Sequence, residues 1–281
     1  MAFTTLIDTE TVAAHVTDPA FTIVDCRYDL HDEAWGEREY AGQHIPGAVS
    51  ASLDRDLSGA KTGQNGRHPL PDPAHLARTL GRFGITEGIQ VVAYDQDSGM
   101  FASRLWWLLR WLGHDHVALV DGGLAKWRAE GRTVQSGVET RAPREFRGAP
   151  RDGWVVNVGE IAGLIGRRDW RLLDARAPER YRGEIEPLDR VAGHIPSATN
   201  YFFTGNLGED GTFRSAENLR VRLSEAIGGL PPDRVVCYCG SGVTACHNLL
   251  ALEHAGLPGA RLYPGSWSEW SSDPARPVER G

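Results

Sequence analysis

Short runs of Val, Ile, Leu and aromatic residues alternate along this chain with stretches whose apolar residues recur every three or four positions. "VVAYD" at 91–95 is followed by a helical pattern over 102–112 that stops at Gly113. "VVCYC" at 235–239 is followed by another over 243–254 that stops at Gly256. Unbroken apolar runs of this length read as strands buried on both faces, and a glycine just past the last periodic residue ends a helix. Buried strands alternating with helices predict an α/β fold with a mainly parallel sheet flanked by helices. Ligands in such sheets gather beyond the carboxyl ends of the strands. Cys239 stands at such an end.

The pattern occurs twice. "FTIVDCR" at 21–27 returns as "WRLLDAR" at 170–176, and "GQHIPGAVS" at 42–50 as "AGHIPSATN" at 192–200. "VVAYD" returns as "VVCYC", and "DGGLAKW" at 121–127 as "PGSWSEW" at 264–270. The order is kept throughout, which marks a duplicated domain. The polar stretch between the copies reads as a linker over 136–153, giving one domain over 1–135 and a second over 154–281. Features shared by both copies are expected to build the fold. That covers His44 and His194 in the common "HIP" turn, and the pairs Asp25 with Arg27 and Asp174 with Arg176. Features of one copy only are the better candidates for function.

Composition narrows the class. Net charge is −7 over 281 residues, which argues against a nucleic-acid surface. The N-terminal "MAFTTLIDTETVAAHV" lacks a basic flank and apolar core, so no secretory signal is expected. The most apolar run, 105–112, is too short for a bilayer and contains Arg110, so no membrane partner is expected. Four cysteines make no disulfide scaffold, and without a C-x-x-C pair a metal site is poorly supported. A cytoplasmic setting with no cofactor fits best. Three tryptophans, Trp106, Trp107 and Trp111, lie at near-helical spacing and are expected in the core or at a domain face. Trp267 and Trp270 either pack the core or wall a pocket.

Cys239 falls opposite Asp95 in the repeat, so the copies differ at the strand end where chemistry is expected. "CGSGVT" at 239–244 is a glycine-rich turn opening a helix. Successive N–H groups of such a turn form an anion nest, and the helix adds the positive end of its dipole. Both favour a thiolate over a thiol without requiring a neighbouring cation. Cys237 and Cys246 read as core residues.

The tandem "HIP" halves, "CGSGVTA" at 239–245 and "GSWSEW" at 265–270 resemble the two-domain rhodanese family of sulfurtransferases over nearly the whole chain. The loop is most similar to that of the mercaptopyruvate-using members. Thiosulfate-preferring members usually carry basic residues where this chain has Gly240 and Ser241. The resemblance implies an inactive first rhodanese-like domain, a catalytic second one and a persulfide on Cys239. It also implies a relay of Ser241 with His68 and Asp54, which have no counterpart in the second copy. Arg180, opposite His31, is implied to hold the substrate carboxylate. A second arginine is implied further on, with Arg190 favoured over Arg182. The backbone of Gly240, Gly242, Val243 and Thr244 would line the donor. Partners would be a small-molecule sulfur donor and a thiol acceptor such as a thioredoxin-like protein, or cyanide, and a monomer would suffice. The alternatives are a thiosulfate:cyanide sulfurtransferase and a non-catalytic sulfur carrier or interaction module. A phosphatase of the Cys-x5-Arg type is disfavoured, because Ala245 stands where its arginine would be.

Overall fold

The computed structural model describes residues 2–281 and divides into two units. The first comprises the residues up to Gly59, Leu70–Arg151 and Glu209–Phe213; the second comprises Ala60–Pro69, Asp152–Gly208 and Arg214–Gly281.

The first unit carries five strands: β1 (Leu6–Ile7), β2 (Phe21–Asp25), β3 (Val49–Ser50), β4 (Gln90–Tyr94) and β5 (Val117–Val120), in spatial order β1-β5-β4-β2-β3. The second carries four: β6 (Arg171–Asp174), β7 (Thr199–Asn200), β8 (Val235–Tyr238) and β9 (Arg261–Leu262), in order β7-β6-β8-β9. Every pairing is parallel. The orders match once β1 is set against Val155, whose single parallel bridge to Leu262 is what remains of a fifth strand. Central strands β4 and β8 are buried along their whole length, as their unbroken apolar runs predict. The helices after them run over Ala102–Trp111 and Thr244–His254. Gly113 and Gly256 beyond their ends both take positive φ, the conformation in which glycine pays no Cβ penalty.

The shared residues build the same scaffold twice. Arg27 pairs with Asp25 at 2.7 Å and donates to the Gln43 carbonyl; Arg176 pairs with Asp174 at 2.7 Å and donates to the Gly193 carbonyl. Each "HIP" histidine places Nδ1 on a helical carbonyl, His44 on Tyr40 at 2.8 Å and His194 on Tyr181 at 2.7 Å. Each ring stacks on that same tyrosine. Trp106, Trp107, Trp267 and Trp270 are all core residues.

Two boundaries lie elsewhere than the sequence pattern places them. Residues 136–151, read as a linker, run with the first unit. Their polar side chains suggest a solvated tether, but their backbone is tied down. Glu139 N–H donates to the Tyr40 hydroxyl, Arg144 N–H to the Gly81 carbonyl and Arg151 N–H to the Trp111 carbonyl. Conversely Ala60–Pro69, in the first half by sequence, belongs to the second unit.

Candidate functional site

The site is built where β8 ends. Cys239 follows Tyr238 directly and is 2% exposed. Its N–H donates to Ser266 Oγ at 3.1 Å, and that hydroxyl donates to the Tyr263 carbonyl at 2.9 Å. Its carbonyl accepts from Trp267 N–H at 3.0 Å. The turn doubles back so that Gly242 N–H donates to Cys239 Sγ at 3.2 Å. That return needs a positive φ of 76° at Gly242, and a Cβ there would strike the Pro264 backbone. Gly240 has no such φ. Val243 is buried, and Thr244 opens the helix.

The same strand end in the first unit shows what this loop shape favours. Asp95 turns its carboxylate into the loop that follows it. Oδ1 accepts from the N–H groups of Asp97 at 3.2 Å and Gly99 at 2.9 Å, and Oδ2 from Phe101 at 2.7 Å and Ala102 at 3.1 Å. Four backbone donors around one buried anion make a filled nest. Burial raises the carboxyl's pKa, and these donors oppose the rise. The helix begins seven residues after Asp95 but five after Cys239, so the second loop is tighter.

Ser266 was not singled out from the sequence. It takes a left-handed φ of 54°, uncommon for a residue with a side chain. Its place in the first copy is held by Gly123, with φ 56°. A serine kept where glycine is cheaper, bonded to the N–H of the thiol residue, is a signal the repeat alone could have given.

Ser241 and His68 meet. His68 Nδ1 lies 2.8 Å from Ser241 Oγ, and both residues are buried. Asp54 lies in the first unit, where the Tyr28 hydroxyl donates to its carboxylate. Burial and that neighbouring charge push the Tyr28 hydroxyl well above its ordinary range.

Two cations stand beside the loop. A Cβ on Gly240 would lie 2.8 Å from Arg67 Nη2 and 3.5 Å from each Arg180 Nη. Arg180 is held by Glu186, at 2.6 Å from Nη2 and 3.3 Å from Nε. The second arginine at the loop is thus Arg67, one residue before His68. Arg190 is exposed and makes no hydrogen bond or ion pair among the described residues, while Arg182 is spent on an exposed pair with Glu184. The local cause is Glu186, whose Oε1 accepts from the N–H groups of Leu188 and Asp189 at 3.1 and 3.2 Å. That turn buries Asp189, which pairs with Arg67. Burial raises the Asp189 pKa, and the Arg67 charge opposes the rise. Arg67 sits in the same unrepeated "NGRHPLP" segment as His68, and that asymmetry was its only trace in the sequence.

A model of the rhodanese-like domain matches the chain twice, over residues 8–130 and 157–273. The chain belongs to the rhodanese family. The two matched segments are its two repeats. The Pseudomonas aeruginosa protein named probable 3-mercaptopyruvate sulfurtransferase is 49% identical to it over 283 residues, covering 100% of both chains. The human 3-mercaptopyruvate sulfurtransferase is 38% identical over 237 residues, which is 83% of this chain and 78% of that one. The solved 3-mercaptopyruvate sulfurtransferase of Leishmania major superimposes with a TM-score of 0.82 at 32% identity, covering 95% of this chain and 74% of its own. This rhodanese-family chain is a sulfurtransferase enzyme. Among its described residues no helix is long and apolar enough to cross a membrane.

Proposed function

We propose that this sulfurtransferase takes sulfane sulfur from 3-mercaptopyruvate through a persulfide on Cys239, passes it to a thiol or cyanide, and releases pyruvate. The observation that carries this reading is the 2.8 Å contact of His68 with Ser241, two residues from the thiol. Two donors are chemically open to Cys239, and they differ in what they ask of a proton. The thiolate attacks the outer sulfur of thiosulfate, the S–S bond breaks, and sulfite leaves as a stable dianion. With mercaptopyruvate the thiolate attacks the thiol sulfur, the C–S bond breaks, and the carbon fragment leaves as an enolate. The proton carried by that sulfur must reach the enolate, which gives the methyl group of pyruvate and leaves a persulfide anion. A histidine in hydrogen-bond contact with a serine hydroxyl is suited to such a transfer near neutral pH. The Gly242 N–H on Sγ supports a thiolate or persulfide anion at Cys239. Arg180 offers a guanidinium for the substrate carboxylate. Asp54 would be the relay's carboxylate, as the family resemblance implies. The names of the relatives agree with this donor. The acceptor would be a small thiol, a thioredoxin-like dithiol or cyanide, each able to remove the outer sulfur.

The test is a steady-state comparison at equal acceptor. kcat/KM is expected to be higher for mercaptopyruvate than for thiosulfate, with one pyruvate released per sulfur transferred. A preference for thiosulfate would make the chain a thiosulfate sulfurtransferase. Sulfur uptake without pyruvate turnover would make it a carrier.

His68→Ala separates the roles further. Loss of a general acid–base group costs roughly 10²–10⁴-fold, so mercaptopyruvate turnover should fall about a hundredfold. Thiosulfate turnover, which needs no proton, should fall much less. Equal slowing with both donors would reduce His68 to a support for the loop.

A further inference from the structure

Two guanidinium groups approach Gly240, each anchored to a buried carboxylate. Arg67 commits Nη1 to Asp189, and Arg180 commits Nε and Nη2 to Glu186. Arg67 Nη2 and Arg180 Nη1 have no carboxylate partner among the described residues, and both approach the position a Gly240 side chain would take. They are two donors converging beside Gly240, next to the thiol residue. Asp189 reaches both arginines, pairing with Arg67 and lying 3.4 Å from Arg180 Nη2. Its side chain is 7% exposed, so solvent screens its charge poorly. Arg67 and Arg180 are balanced by Asp189 and Glu186, and Arg176 is balanced by Asp174. The two guanidinium groups therefore offer directed hydrogen bonds but little surplus positive charge. Directed bonds suit a carboxylate, whereas a dianion gains most from uncompensated charge.

We propose that Arg67 is the second anion-binding guanidinium of this site and that Asp189 sets the charge of the donor it accepts, favouring a monoanionic carboxylate over a dianion such as thiosulfate. This rests on reading Cys239 as the sulfur-accepting thiol. Asp189→Asn keeps the shape and an acceptor for Arg67 while removing one negative charge. It should raise the kcat/KM ratio of thiosulfate to mercaptopyruvate by tenfold or more. It should also tighten binding of sulfate, a dianion that donates no sulfur, by tenfold or more in equilibrium dialysis. Arg67→Ala should weaken sulfate binding and raise the KM for mercaptopyruvate tenfold or more. In Arg67→Ala with Asp189→Asn the charge balance returns, and the donor ratio should fall back toward the wild-type value. An unmoved ratio and unmoved sulfate affinity in folded Asp189→Asn would overturn the proposal. If that variant does not fold, unchanged KM and sulfate binding in Arg67→Ala overturn it instead. Sulfate dialysis needs no sulfur transfer. Failure of the persulfide reading would appear separately, as wild-type protein whose intact mass gains no sulfur from any donor.

Discussion

Cys239→Ser is expected to abolish sulfur transfer from every donor while leaving the fold unchanged. The substitution replaces sulfur by oxygen in a buried position whose backbone is fixed independently of the side chain. The N–H is held by Ser266, and the carbonyl by Trp267. A hydroxyl can still accept from Gly242 N–H, so the loop loses little. It cannot form a persulfide, and no second thiol replaces it. Cys237 and Cys246 are both fully buried, and burial pushes the Cys237 thiol well above its ordinary range, away from the thiolate a nucleophile needs. Intact mass after incubation with donor should show one added sulfur in the wild type and none in the variant, with matching circular dichroism spectra. Turnover retained by the folded variant would remove Cys239 from the mechanism.

Gly242→Ala should cost at least tenfold through geometry alone. Left-handed backbone at a residue with a Cβ costs roughly 1–2 kcal/mol. At φ 76° the new methyl would also lie 2.9 Å from Pro264 Cα and closer still to its carbonyl oxygen. A backbone neighbour cannot swing aside as a side chain can, so the turn itself must open. Opening it moves the one N–H described on Cys239 Sγ and shifts the first turn of the following helix. Sulfur loading and turnover are expected to fall by at least tenfold, with a lowered Tm. Gly163→Ala is the matched control. That glycine lies in the helix Val158–Leu164 with nothing within 4 Å of an added Cβ. Its replacement should be neutral, or stabilising by about 0.5–1 kcal/mol, since alanine is the better helix former. Equal activity loss in both variants would mean that the assay reports general stability.

The strands, the duplication and the site loop were legible because each leaves a local pattern: an unbroken apolar run, a returning motif, a thiol ahead of glycines. His68 and Ser241 came from the family resemblance, and the lack of a matching histidine in the second copy set His68 apart. The resemblance implied that they act together, but the 2.8 Å contact depends on Ala60–Pro69 folding with the second unit, which no local pattern reports. The ion pairs were the least legible part. An arginine in a polar loop looks the same whether it faces solvent or a buried aspartate, so Arg67 and Asp189 passed unnoticed. Arg190 is exposed, and the Glu186 cap that turns its neighbour Asp189 inward leaves no periodic trace in the sequence. Residues 136–151 were read as a tether because composition reports side chains, whereas their attachment runs through backbone N–H groups.

The carboxylate of Asp95 has a consequence for stoichiometry. A loop whose amides are already satisfied from within has nothing to offer an incoming anion. In the first repeat the Asp95 carboxylate already takes the place an anion would occupy. A titration of bound sulfur should saturate at one equivalent per chain, however similar the halves look in sequence. Asp95→Cys alone should not raise it to two, because the loop following that position is two residues longer and would still have to be recut around the new thiol.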